Sequence, residues 1–242
     1  MNAPLDGHLP AANSEPAQTP AASQQPLTLA VVTAGTSDPS TSTMLAQRVA
    51  DKFATLAAGQ GRAAQIRVIN LRLLAADITT ALVSQHVSEE LQAASDILRD
   101  ADAIVAATPV YKAGASGLFT SFFQVLDNDL LIGTPVALAA TAGSPRHALV
   151  VDDQLRGVFA YLRTITTPTS IFAAPDDWTS SELGGRITRQ ATELFALAQA
   201  GFRETVRGNA WNSYQHTYGS AGGTELGIEF DTDLMRLATG GK

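Results

Sequence analysis

Hydroxyl side chains are concentrated in one short stretch of the chain, residues 34–43, which reads AGTSDPSTST. An apolar run precedes the stretch and a run with helical spacing follows it, so it leads into the amino end of a helix. Such an end offers unpaired N–H groups and a partial positive charge, which attract phosphate. The stretch has no Lys, no Arg and no P-loop pattern, which favours a mononucleotide phosphate over a triphosphate with magnesium. Ser and Thr are also ordinary helix caps, and that interpretation stays open.

Two further loops have residue types that suit a flat heterocycle. Residues 108–117 read TPVYKAGASG, in which Pro109 restricts the backbone and Tyr111 offers an aromatic face and a hydroxyl. Residues 140–147 read ATAGSPRH, and their small side chains allow backbone N–H groups to approach the polar edge of a ring. Both loops also have a plain interpretation, with Tyr111 and Lys112 as solvated surface side chains and the later loop as a simple turn.

These loops lie between strands and helices that alternate along the chain. Apolar runs rich in β-branched residues predict strands, and apolar residues at helical spacing predict helices. The predicted strands are 27–33, 65–71, 102–107, 135–140 and 170–173. The predicted helices are 42–57, 87–100, 117–126, 148–163 and a last one striped by Ile187, Ala191, Leu194, Phe195 and Ala198.

Five strands interleaved with helices predict an α/β fold. The expected architecture is a flavodoxin-like, doubly wound, five-stranded parallel sheet with strand order 2-1-3-4-5 and helices on both faces. Ligands of such sheets bind outside the carboxyl ends of the strands at the topological switch point, here between strands 1 and 3. The three loops follow strands 1, 3 and 4, so we expect them to meet at that edge.

Composition divides the chain into three parts. Residues 1–26 hold five of the eleven prolines and few charged side chains, and we predict a disordered N-terminal arm. Residues 27–205 carry the alternating pattern and are predicted to form the folded domain. Residues 206–242 are rich in glycine and are predicted to be a C-terminal tail that is partly docked or disordered.

Charge and residue types exclude several function classes. The chain has 16 basic and 23 acidic side chains, a net charge of −7, which weighs against a general nucleic-acid binder. It has no cysteine, which removes disulfides, thiolate nucleophiles and Cys-ligated metals. The four histidines include no pair at helical metal-site spacing, so no metal site is expected. No apolar run is long enough to span a membrane, and residues 1–26 lack a signal-peptide pattern, so we expect a cytoplasmic protein with no membrane partner.

Three segments together resemble the flavin-binding segments of NAD(P)H-dependent FMN reductases, a flavodoxin-like family. They are Thr33–Thr36 with Ser42–Thr43, Pro109–Ala113 with Ser116–Leu118, and Thr141–Ser144. The resemblance spans about residues 27–200, and the pattern P-x-Y-K-x-x-x-S-G is its most specific part. The stretch His147–Asp177 further resembles the branch partnered with luciferase-like flavin monooxygenases. Residues 27–205 would then be an FMN-binding reductase domain.

The resemblance also implies which residues contact FMN. Its phosphate would be bound by Thr36, Ser42 and Thr43. The ribityl chain and ring would be contacted by Pro109, Val110, Tyr111 and Lys112, and the ring edge by Thr141, Ala142, Gly143 and Ser144. No catalytic side chain and no metal is implied, because the cofactor carries the hydride chemistry. The chain departs from sulfonate-linked relatives at Ala115, where those have a Tyr in an irregular turn.

The leading hypothesis is therefore an NAD(P)H:FMN oxidoreductase that uses FMN and NAD(P)H and supplies reduced FMN to a flavin-dependent two-component monooxygenase. One alternative retains its FMN and reduces quinones, azo dyes or nitroaromatics. Another is a non-enzymatic flavodoxin-type electron carrier, and a third is a flavin-free α/β interaction domain. The resemblance also implies a homodimer or homotetramer, so the apolar helix 117–126 lies either in the core or against a partner subunit.

Overall fold

The structure, a computed structural model, describes residues 25–210, in which strands and helices alternate. The strands are β1 (Leu27–Thr33), β2 (Ala64–Asn70), β3 (Ala103–Tyr111), β4 (Gly114–Ala115), β5 (Pro135–Thr141), β6 (Ile165–Thr166) and β7 (Ile171–Ala173). The helices are α1 (Thr41–Gly59), α2 (Ala75–Ser84), α3 (Glu89–Asp100), α4 (Gly117–Gln124), α5 (Arg156–Tyr161), α6 (Ser181–Gln199) and α7 (Phe202–Ala210). Short 3₁₀ segments lie at Leu71–Leu74, Pro145–His147 and Pro175–Thr179, and a π-helical turn at Val151–Leu155 leads into α5.

The main strands form parallel ladders in the predicted order. β2 pairs with β1 along its length, from Ala64 opposite Leu27 to Asn70 opposite Thr33. β1 then pairs with β3, and β3 with β5, which is the fourth predicted strand. The fifth position is shared by β6 and β7, which both pair in parallel with β5. The predicted fold class is confirmed.

Two details of the sheet differ from the prediction. The fifth strand is divided where side chains of α6 replace the ladder bonds, because the Leu138 carbonyl accepts from Gln190 Nε2 and the Thr169 N–H donates to Glu193 Oε2, both at 2.8 Å. β3 continues past its predicted end at 107 and turns back as β4, which pairs with it antiparallel. This hairpin extends the sheet at the edge that the switch-point rule selects.

The helices also include elements that the sequence analysis did not predict. α2 was missed because Ile78 and Ala81 are its buried residues, too few for a clear apolar stripe. The predicted helix 148–163 is divided into the π-helical turn and α5. α7 crosses the predicted boundary between domain and tail at 205, and the rest of the predicted arm and tail, residues 1–24 and 211–242, lies outside the described residues.

The core has two halves, one on each face of the sheet, because successive strand residues point to opposite sides. Leu29 and Val31 of β1 lie in the half under α1 and α6, whereas Ala30 and Val32 lie in the half under α2 to α5. Helices on both faces are thereby confirmed. The buried side chains of α4, Phe119, Phe122 and Phe123, belong to the second half, so this apolar helix supplies the core. No helix within residues 25–210 is long and apolar enough to cross a membrane.

Candidate functional site

The three loops singled out in the sequence meet at the carboxyl ends of β1, β3 and β5. The N–H of Ala34 donates to the carbonyl of Ala107 at 3.2 Å. The hydroxyls of Thr36 and Tyr111 are 3.1 Å apart, which joins the first loop to the second. The hydroxyls of Thr41 and Thr141 are 3.2 Å apart, which joins the first loop to the third. Each contact links residues far apart in the sequence, so the sheet brings together what the sequence analysis expected to meet.

In the first loop, the hydroxyls divide between capping the helix and facing solvent. Ser40 is the N-cap of α1, and its Oγ accepts from the Thr43 N–H at 3.3 Å and lies 3.1 Å from the Ser42 Oγ. The Ser42 hydroxyl is buried, so this side chain braces the cap. Thr36 and Thr41 are exposed at the mouth of the loop. The first turn of α1 contains no acidic residue, which leaves its positive end available to an anion.

Gly35 allows this loop to fold back on the cap. A Cβ at this position would lie 1.8 Å from the Ser40 Oγ and 2.6 Å from the Ser40 Cβ. Only the absence of a side chain permits such a close approach. The conformation of the hydroxyl loop therefore depends on a glycine and a serine that are both buried.

The second loop is a tight hairpin at the end of β3. Tyr111 pairs with Gly114, which leaves Lys112 and Ala113 as a two-residue turn with φ of 51° and 65°. Two positive φ angles are typical of a type I′ turn, in which Asn and Gly are favoured. For residues with a Cβ this conformation costs roughly 1–2 kcal/mol each. The turn is therefore a strained segment at the mouth of the site.

The residues of this hairpin present different groups to the site. Pro109 and Val110 are buried in β3, and the Pro109 carbonyl accepts from the Ser116 N–H at 3.1 Å. Tyr111 and Lys112 are exposed at the tip. The predicted ring-contacting residues thus combine a buried backbone support with an exposed aromatic side chain and an exposed cation.

The third loop follows β5. Thr141 is buried and bonds to Thr41, while the Ala142 N–H donates to the Ala173 carbonyl at 3.2 Å. Gly143 is exposed, and a Cβ built there meets nothing within 4 Å among the described residues. The Ser144 hydroxyl accepts from the Arg146 N–H at 3.4 Å and caps the short segment Pro145–His147. Open space therefore lies beside the loop at Gly143.

Two residues of this edge were missed by the sequence analysis. Thr41 belongs to the same hydroxyl run and bridges to Thr141. Arg72 follows β2, and its Nη1 donates to the Thr36 carbonyl at 3.4 Å, which brings a cation to the first loop. Its place just after a parallel strand was a signal, because all parallel strands end at the same edge. Within residues 25–210, no group of three or more His, Cys, Asp or Glu side chains is placed to hold a metal ion.

Comparison with known proteins gives a consistent set of similarities. The family model described as NADPH-dependent FMN reductase matches residues 27–179. A protein named FMN reductase (NADPH) from Pseudomonas aeruginosa is 37% identical over 187 residues, which are 75% of this chain and 97% of that protein. The NADH-dependent FMN reductase SfnF of Pseudomonas fluorescens is 36% identical over 178 residues, or 71% of this chain and 91% of that protein.

Solved structures agree with this result. An oxidoreductase from Corynebacterium diphtheriae has a TM-score of 0.70 at 38% identity, covering 72% of this chain and 98% of that one. A flavodoxin, a WrbA-like protein from Agrobacterium tumefaciens, has a TM-score of 0.51 at 17% identity, covering 73% of this chain and 99% of that one. The second likeness concerns the fold alone.

Proposed function

The chain belongs to the NADPH-dependent FMN reductase family, and on that basis we propose that this NAD(P)H:FMN oxidoreductase releases reduced FMN to a separate flavin-dependent monooxygenase. The observation that carries the proposal is the exposure of Tyr111. Tyr111 is the single aromatic residue of the three loops, and its side chain is 49% exposed. A ring supported on one side by a half-exposed aromatic residue gains little burial, which favours exchange of flavin over retention.

The donor set of this edge fits FMN. We assign the phosphate to the amino end of α1 with Thr36, Ser42 and Thr43, where Ser42 contributes its N–H because its hydroxyl is buried against Ser40. Arg72 and Thr41 extend this group of donors. A helix end without acidic residues, with a cation beside it, suits a dianion.

The other assigned residues belong to the second and third loops, which bond to the first loop through Tyr111 and Thr141. We assign the ribityl chain and ring to the hairpin residues Pro109, Val110, Tyr111 and Lys112, and the ring edge to Thr141, Ala142, Gly143 and Ser144. The open space beside Gly143 supports the second assignment. The N–H groups of Gly143 and Ser144 are the proposed donors to the N1–C2=O edge, where negative charge develops on reduction.

When bound, FMN would supply a ring that accepts hydride at N5 from the nicotinamide, and this chain would supply position and hydrogen-bond donors. No side chain of this protein is assigned as a nucleophile, acid or base. The proposed partner is a monooxygenase that consumes reduced FMN. The homodimer or homotetramer and the cytoplasmic location stay predictions.

The proposal is tested by oxidation of NADH and NADPH with gel-filtered protein during a titration with free FMN. We expect a rate that requires added FMN and saturates with it, because flavin then behaves as a substrate. A rate that is independent of added FMN and depends on a quinone, azo dye or nitroaromatic would show retained flavin and overturn the release step. If neither NADH nor NADPH is oxidised with any acceptor, both enzyme hypotheses fail, and the electron carrier and the flavin-free domain are the hypotheses that remain.

A further inference from the structure

We propose that Gln154 is a positioning residue of the reductase site, which holds the strained Lys112–Ala113 turn in the conformation that flavin binding requires. The inference rests on the assignment of that turn to the flavin site above. Gln154 lies on the π-helical turn Val151–Leu155, 41 residues after Ala113 in the sequence, and its side-chain amide reaches the hairpin.

Two hydrogen bonds join the amide to the hairpin. The Nε2 of Gln154 donates to the Ala113 carbonyl at 3.1 Å, and its Oε1 accepts from the Ala115 N–H at 3.2 Å. The Ser116 N–H donates to β3, so the N–H of Ala115, the residue before it, points away from β3. The Gln154 amide therefore bonds to the free backbone groups on the outer edge of β4, at the position where the backbone of a neighbouring strand would otherwise pair.

The turn needs such support because both of its residues carry a Cβ and have positive φ. A hairpin with Asn and Gly at these positions would keep the conformation by itself. Here one end of the strained turn, the Ala113 carbonyl, is held by Gln154, and Tyr111 just before the turn is bonded to Thr36. The hairpin is thus supported on both sides of its tip.

The segment that carries Gln154 is itself anchored. Val151 and Leu155 are buried on the core side of the π-helical turn. The Asp152 carboxylate accepts from Arg156 Nε at 2.6 Å and from the Ser170 hydroxyl at 3.1 Å. Single π-helical turns are frequent at functional sites, and in this one the anchored neighbours direct an exposed amide toward the hairpin. Asp153, the next residue on the turn, is exposed and provides a matched control.

An amide and an ionised carboxylate at position 154 should behave differently, because only the amide can donate to the Ala113 carbonyl. In Gln154→Glu, the carboxylate still accepts from the Ala115 N–H but faces the Ala113 carbonyl with no proton to donate. Protonation restores the donor, so the neutral acid reproduces the amide. The carbonyl favours the neutral form, which raises the pKa of the introduced carboxyl. The defect should therefore decrease as the pH falls.

The experiment measures the Kd for FMN by quenching of flavin fluorescence, together with KM and kcat, in full-length wild type, Q154L, Q154E and D153A. We expect Q154L to raise the Kd and KM for FMN about tenfold, the effect of losing two partly exposed hydrogen bonds, with kcat within about twofold. D153A should match wild type. The ratio of the Kd of Q154E to that of wild type should fall toward one as the pH is lowered from 8 to 5. The ratio is used because titration of the FMN phosphate affects both proteins equally and cancels. In A160E, which adds the same charge at an exposed position of α5, the ratio should stay constant.

Two results would overturn the inference. One is wild-type affinity in Q154L with its thermal stability unchanged, since the turn would then hold without the amide. The other is a Q154E ratio that does not change with pH, since the defect would not depend on the donor to Ala113. If wild type itself neither binds FMN nor reduces it, the assigned site fails instead, and this outcome is read from wild type alone.

Discussion

At the carboxyl edge of the sheet, polar side chains are exposed and bond to one another, whereas at the amino edge a guanidinium is buried against backbone carbonyls. Tyr111 at the first edge is 49% exposed and Arg203 at the second is 7% exposed. Arg203 donates to the carbonyls of Leu98, Ala101 and Leu130. These contacts attach α7 to the end of α3 and to the segment before β5.

The environment of Arg203 differs from that of the loops in its charge as well. Burial, with a smaller contribution from the neighbouring charge of Arg207, lowers the pKa of Arg203 to about 9, while Asp102 and Asp100 act in the opposite direction. The group stays cationic at neutral pH. A cavity of about 460 Å³ beside it is lined by both acidic and basic side chains. At the amino edge the polar groups are buried against one another and stabilise the fold, whereas at the carboxyl edge hydroxyls and cations stay accessible to a ligand.

Removal of the buried Arg203 guanidinium tests whether the two edges act separately. In Arg203→Met, the carbonyls of Leu98 and Ala101 lose the donor that Arg203 supplies, while the Leu130 carbonyl still accepts from Arg207. We therefore expect the free energy of unfolding to fall by about 3 kcal/mol. Urea unfolding measures the loss, and the exposed Arg189→Met on α6 serves as the control, with a change of less than about 0.5 kcal/mol. The Kd for FMN should stay within about twofold of wild type. A large loss of FMN affinity in a folded R203M protein would contradict the separation of the two edges.

At the carboxyl edge, the largest expected effect comes from Gly35→Ala. The added methyl group would overlap with Ser40, so the loop or the cap must move, which should destabilise the protein by about 1–3 kcal/mol and raise the Kd for FMN at least about tenfold. Both quantities are measured by urea unfolding and flavin fluorescence.

Gly143→Ala is the matched control, because its methyl group meets no described protein atom within 4 Å. Its stability should stay within about 0.5 kcal/mol of wild type. An increase in the Kd of G143A for FMN without loss of stability would support the proposal that the flavin ring occupies the open space beside Gly143. Equal stability losses in G35A and G143A would show that steric contact with Ser40 is not the cause.

The smallest expected effect concerns the bond between the first two loops. Tyr111→Phe keeps the ring and removes the hydroxyl that lies 3.1 Å from Thr36. We expect a rise of about two- to fivefold in the KM for FMN, since an exposed hydrogen bond contributes about 1 kcal/mol or less. Thr36→Val should have a similar effect, and the double variant should be no worse than either single one. Additive effects would mean that the two hydroxyls act separately on the ligand.

Much of the fold was predictable from local pattern. The apolar runs of β1, β3 and β5 predicted buried parallel strands, and the switch-point rule selected the edge where the three loops meet. Other elements had no local signal. α2 is short of buried residues, and the turn at Lys112 and Ala113 lacks the Asn or Gly that marks such a turn. The sequence also could not decide which of several neighbouring hydroxyls caps α1, a role that Ser40 takes.

By itself, the sequence determined the class of fold, the edge where the three candidate loops meet and the residue types available there, because strand and loop preferences act over a few residues. The tertiary structure decided which distant groups meet: Thr36 with Tyr111, Thr41 with Thr141, and Gln154 with the hairpin. It also decided that Arg203 is buried and Tyr111 is not. The physical reason is that a hydrogen bond between residues far apart in the chain depends on how the whole sheet and its helices pack, which no short stretch of sequence specifies.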